Sequence, residues 1–118
     1  MSYQTREQEL EAFLYDAIHT KGLAVPSHMI VKFDVVDELP RSDALAGCLS
    51  AWGEDGPVMF QILMRRDMLE RDKEYLQKIL LHELAHAETN YLHGPHDEDN
   101  PIFETICLSI GGILRPNA

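Results

Sequence analysis

Of the 118 residues only two are cysteines, Cys48 and Cys107. That is too few for a disulfide scaffold, and they are not at the spacing of a metal-binding pair. Such sparing use of cysteine fits a reducing compartment, so a cytoplasmic location is expected. Basic residues are also scarce: 10 Lys and Arg face 20 Asp and Glu, for a net charge of −10 at pH 7. Autonomous binding of nucleic acid is therefore not expected, because it relies on cationic side chains displacing counterions from phosphates. The nearest basic cluster, Arg65, Arg66, Arg71, Lys73 and Lys78, is interleaved with Asp67, Glu70, Asp72 and Glu74, the pattern of a solvated helix face. No apolar run approaches the roughly 18 residues that span a bilayer. Met1–Glu7 carries no basic stretch followed by an apolar one, so neither a membrane association nor a secretory signal is expected. Repeats, low-complexity tracts and linkers are absent too. With 45% hydrophobic and 25% charged residues, residues 1–118 are expected to form one domain.

What is present suggests a small α+β fold. Leu10, Phe13, Leu14, Ala17 and Ile18 recur at three- and four-residue spacing over residues 5–21, predicting an amphipathic helix that Gly22 ends and Pro26 keeps from resuming. His28–Val36 is rich in β-branched residues and reads as a strand, followed by a charged loop over Glu38–Asp43. Leu45–Trp52 and Pro57–Leu63, joined by Gly53-Glu54-Asp55-Gly56, read as a β-hairpin. A second helical pattern runs from Arg66 to Leu92, with Leu69, Leu76, Ile79, Leu80, Leu84 and Ala87 on its apolar side, and Gly94-Pro95 breaks it. Asn100-Pro101 is a cap and first-turn pair for a last helix, Ile102–Leu114, weakened near its end by Gly111-Gly112. This order predicts a helix packed on a short antiparallel meander.

The chemistry is concentrated in Leu81-His82-Glu83-Leu84-Ala85-His86. Two histidines four apart on a helix share one face and can reach one metal ion. Glu83 follows the first of them, placed to hold and deprotonate a metal-bound water rather than to bind the metal. Zn2+ suits these ligands, accepting imidazole while keeping an open position. Random order of this composition gives such a pattern in roughly 3 chains of 100, and its place inside an apolar helix argues further against chance.

A catalytic zinc site usually has three protein ligands. His96, beyond the Gly94-Pro95 turn where the chain can return, is the expected third ligand. His93 would lie two helical turns past His86, about 10 Å away. Glu104 on the last helix is the carboxylate alternative. The acidic run Asp97-Glu98-Asp99 reads as a solvated loop, one of whose carboxylates can orient a ligand imidazole.

Over roughly residues 38–104 the chain resembles the SprT-like and WLM zinc metalloproteases, the Spartan-related group. The matching segments are Leu45-Ala46-Gly47-Cys48 with the hairpin to Gln61-Ile62-Leu63, then Leu81–His86, then His93-Gly94-Pro95-His96-Asp97. The SprT-like pattern, a ligand His followed by Gly-Pro, points to His93. The WLM pattern, Gly-Pro before a ligand His followed by Asp, points to His96. Both patterns set an aromatic residue four positions further on, where this chain has Asp97 or Asn100 and reaches Phe103 only later. A narrower similarity to ImmA/IrrE-type peptidases rests on His82–His86 and would make Glu104 a ligand.

The resemblance implies a small zincin-like domain and zinc-dependent hydrolysis of peptide bonds, with Glu83 as general base and His82, His86 and His96 as metal ligands. The implied substrate is a polypeptide lying along an exposed strand of the hairpin, delivered with or without a guiding protein partner. Two other classes are compatible with parts of the sequence. A non-catalytic zinc-binding module would keep the histidines but has no use for Glu83. An acidic inhibitor that mimics nucleic acid leaves the histidine motif unexplained. Cys48, Cys107, Phe60 and Tyr91 read as packing residues, and Trp52, if exposed, is a candidate for the wall of a substrate groove.

Overall fold

A computed structural model describes residues 5–25, 30–39 and 44–115. Pro26, the first two residues of the expected first strand (His28 and Met29) and residues 40–43 of the expected loop lie outside that set.

Helix α1 spans Arg6–Thr20 and starts with a reciprocal cap: Thr5 Oγ1 accepts from the Gln8 amide while Gln8 Oε1 accepts from the Thr5 amide. Its Leu10, Leu14, Ala17 and Ile18 are buried, and Gly22 turns the chain at φ +69°. Strands β1 (Ile30–Val36), β2 (Ala46–Gly53) and β3 (Gly56–Arg65) follow. The expected hairpin is present, with β2 antiparallel to β3 and Gly53 opposite Gly56.

The expected antiparallel meander is not. The sheet order is β1-β3-β2, and β1 runs parallel to β3 with Phe33 opposite Ile62. The hairpin has its returning strand inserted beside β1, and burial accounts for the choice. Phe60, Ile62, Leu63 and Met64 make β3 the most apolar strand, all four buried, so it gains most from being covered on both edges. β2, mostly half-buried or exposed, is left as an edge.

The second helical pattern divides. A 3-10 turn covers Arg66–Glu70, and helix α2 begins only at Lys73, after Asp72 accepts from the Tyr75 amide, and runs to His93. Gly94, at φ +88°, ends it as expected. Helix α3 spans Pro101–Ser109, with the Asn100 side chain capping the amides of Ile102 and Phe103. It stops five residues short of the expected end because Gly111 turns at φ +91°.

Helix α2 packs against α1, α3 and the hairpin strands, so its middle is buried on most sides rather than along one stripe, from Leu76 to Thr89. The core joins Leu10 and Leu14 of α1, Phe33, Phe60, Ile62 and Met64 of the sheet, Ile79, Leu80 and Leu84 of α2, and Phe103 and Cys107 of α3. Buried Glu88 of α2 accepts from the amides of Ala24 (2.7 Å) and Val25 (2.8 Å), fastening the segment after α1 to the helix that carries the histidines. Among the described residues no helix is long and apolar enough to cross a membrane.

Candidate metal centre

A helix buried on most sides has little room for ionisable groups, yet His82 and Glu83 are buried in the middle of α2 and His86 lies one turn on. One ligand atom from each lies within 4.8 Å of the others, so this group can hold a metal ion.

The rings are held from outside the motif. The Ile113 carbonyl lies 2.7 Å from His82 Nδ1. A carbonyl only accepts, so neutral His82 carries its proton on Nδ1 and presents a lone pair at Nε2. Close packing makes this contact possible. A Cβ on Gly112 would sit 2.7 Å from Cys107 Sγ and 3.0 Å from the His82 backbone nitrogen, so glycine lets the chain pass beside α2. Phe103 of α3 stacks on His86 with ring centroids 3.9 Å apart and planes 8° from parallel, and meets His82 edge-on at 5.1 Å.

The Gly94-Pro95 turn returns His96 to the cluster. His96 Nδ1 lies 3.0 Å from the Gly94 carbonyl and its Nε2 lies 2.8 Å from His86 Nδ1. The carbonyl fixes the proton on His96 Nδ1, the His96 Nε2 lone pair then accepts from His86 Nδ1–H, and His86 is left with its lone pair at Nε2. Glu98 completes the group, its Oε1 3.2 Å from His82 Nε2 and 3.6 Å from His86 Nε2. Two nitrogen lone pairs and a carboxylate thus converge with no donor among them, an arrangement that calls for a cation. The donor set fits a divalent metal ion.

His93, the last residue of α2, is exposed, and Glu104 faces Arg115 at 3.9 Å. Of the candidates for a third ligand, the fold brings His96 to the cluster and ties Glu104 elsewhere. Glu98, read from the sequence as part of a solvated run, stands closer to the paired Nε2 atoms than that reading anticipates. Neither Glu98 nor Phe103 has a local sequence signal. The Gly111-Gly112 pair is a visible signal for the close pass at His82, though its sequence reading is only a weakened helix.

Charge follows the packing. Burial, reinforced by Glu98, pushes the Glu83 carboxyl up to about 8. Burial, then His82 and His96, push His86 down to about 4. Partial burial raises the Glu98 carboxyl, but whenever the His82 and His86 rings beside it take up a proton they outweigh that effect and hold it below the usual range.

A cavity of about 280 Å³ opens beside this cluster. Gly47 and Cys48 of edge strand β2 form one wall, and Glu83, His86 and Asn90 of α2 form another. The buried Asn90 Oδ1 has no hydrogen-bond partner among the described residues. Arg65 supports the start of β2 by donating to the Ala44 carbonyl at 3.2 Å. Cys48 borders the cavity, but burial and the nearby Glu83 charge raise its thiol far above the range in which a thiolate forms. Cys107, raised to about 11, is buried on the inner side of α3. Phe60 is wholly buried and Tyr91 packs against the core, whereas Trp52 is 49% exposed and does not border the cavity. A larger hollow of about 550 Å³ is lined by Asp37, Arg65, Arg66, Asp67 and Glu70. Arg65 pairs there with Asp67 and Arg66 with Asp37.

Comparison with protein-family models, with curated proteins and with solved structures gives no match to this chain.

Proposed function

We propose that the protein is a zinc-dependent metallopeptidase, with His82 and His86 as metal ligands and Glu83 as general base. The observation that carries this reading is the convergence of the His82 and His86 Nε2 lone pairs on one point, with the buried Glu83 carboxyl beside them. Imidazole and carboxylate donors with an open side toward a cavity suit zinc. When bound, zinc supplies Lewis acidity that polarises a carbonyl and acidifies water. Glu83 takes up the proton released from water and passes it to the leaving amine.

The substrate class follows from the walls. β2 is an edge strand whose Ala46, Gly47 and Cys48 border the cavity, so an extended polypeptide can add to the sheet there and cross the cluster. The net charge of −10 disfavours a nucleic-acid substrate, and the small domain leaves room for a guiding protein partner.

The test pairs metal analysis with mass-spectrometric detection of cleavage in a library of extended peptides. Wild type and Glu83→Gln should each bind about one zinc per chain, while Glu83→Gln loses about 10²- to 10⁴-fold in cleavage rate. Equal cleavage by both proteins would refute the role of Glu83. Zinc-loaded wild type that cleaves nothing in the library would instead favour a metal-stabilised binding module.

A further inference from the structure

We propose that the third protein ligand of this centre is the Glu98 carboxylate, and that His96 is the positioning residue that orients His86. This rests on the metal reading above and completes its ligand set.

The His96 ring is already committed. Its Nδ1–H donates to the Gly94 carbonyl at 3.0 Å, and its Nε2 lone pair accepts from His86 Nδ1 at 2.8 Å. One lone pair cannot accept that proton and bind a metal as well. The contact also has a use: a ligand imidazole whose far nitrogen donates to a fixed partner is held in one tautomer and one plane. His82 has the Ile113 carbonyl in that role, and His86 has His96.

Glu98 occupies the place a third donor needs. For metal–ligand bonds of about 2.0–2.1 Å, the edges of a tetrahedron are about 3.3–3.4 Å. The Glu98 Oε1 separations, 3.2 Å from His82 Nε2 and 3.6 Å from His86 Nε2, bracket that value. Two imidazoles and one carboxylate make up a recognised ligand set for catalytic zinc.

The loop explains why Glu98, of three neighbouring acids, is the one delivered. It is tied at one end by the Gly94 amide to Asn90 of α2, and at the other by the Asn100 cap on α3. Within it the Asn100 amide donates to the Asp97 carbonyl at 3.0 Å, and Asp99 pairs with Arg115 at 2.9 Å. Between those two anchored residues, Glu98 turns to the imidazoles.

X-ray absorption at the zinc edge counts imidazoles directly and is independent of turnover. Zinc-loaded wild type should show two imidazoles with oxygen donors, and His96→Ala should still show two while binding zinc about 10- to 100-fold more weakly. Glu98→Ala, a change on an exposed loop side chain, should weaken zinc by more than His96→Ala does. Three imidazoles in wild type, falling to two in His96→Ala, would make His96 the ligand and overturn the proposal. The wild-type spectrum decides this even if a variant misfolds. Failure of wild type to take up zinc would overturn the metal reading together with this one, whereas a two-imidazole spectrum without peptide cleavage would remove the peptidase reading alone.

Discussion

In the metal-free protein, Glu83 should make stability fall as pH rises through neutrality, opposite to the behaviour of an ordinary paired carboxylate. Its carboxyl is pushed from 4.5 up to about 8, first by burial and then by the charge of Glu98. The unfolded chain gives up that proton near its ordinary value, while the folded chain keeps it to about pH 8. Between those limits the folded state binds more protons, so stability declines with rising pH and levels off above about pH 8. His86 works the other way. Lowered from 6.5 to about 4, it costs stability as pH falls from 6.5 toward 4, because the unfolded chain then binds the extra proton. The two slopes offset each other between about pH 4.5 and 6.5, which leaves Glu83 acting alone from about pH 6.5 to 8. Over those ~1.5 units, at 1.36 kcal/mol per unit, the loss comes to ~2 kcal/mol. For a chain of this length, with an unfolding entropy of ~0.25 kcal/mol/K, that is a fall in Tm of ~8 °C. Thermal and urea unfolding followed by circular dichroism, with a chelator present, measures it in wild type and Glu83→Gln. Wild type should lose stability across the window and Glu83→Gln should not. A flat or rising wild-type profile, or the same fall in Glu83→Gln, would refute the account of Glu83.

Two structural predictions accompany it. Gly112→Ala drives a Cβ against Cys107 Sγ and the backbone of His82. It should cost about 1–3 kcal/mol in urea unfolding and weaken zinc about 10- to 100-fold by displacing the Ile113 carbonyl. Gly47→Ala, which meets nothing within 4 Å, should stay within about 0.5 kcal/mol of wild type, and equal behaviour of the two variants would contradict the packing argument. Glu88→Ala strips the acceptor from the Ala24 and Val25 amides and should cost about 3 kcal/mol. Amide hydrogen exchange at those two positions should quicken in the variant; unchanged protection there would show that the contact does not hold the segment.

The helix carrying the histidines was legible because its signals are local. A spacing of four sets His82 and His86 on one side of any helix, Gly94 stops it, and Asn100 with Pro101 opens the next. The hairpin was legible for the same reason, through Gly53-Glu54-Asp55-Gly56. Where a reading needed a distant partner it failed or stayed open. The β-branched run within His28–Val36 marks a strand but not its neighbour, so the parallel pairing of β1 with β3 came only with the packed sheet. The break at Arg71-Asp72 was hidden by an apolar pattern that continues across it.

The same division runs through the candidate centre. By itself the sequence determined that two imidazoles and a carboxyl would share one stretch of helix, since backbone geometry fixes positions one turn apart. Only the tertiary structure decided what state those groups are in. The Ile113 carbonyl that sets the tautomer of His82, the Phe103 ring against His86, the His96–His86 contact and the placement of Glu98 join positions 10 to 31 residues apart. Burial, the property that raises the Glu83 carboxyl and lowers His86, arises from α1, α3 and the sheet closing around α2 together. It belongs to the assembled fold, and no window of sequence contains it.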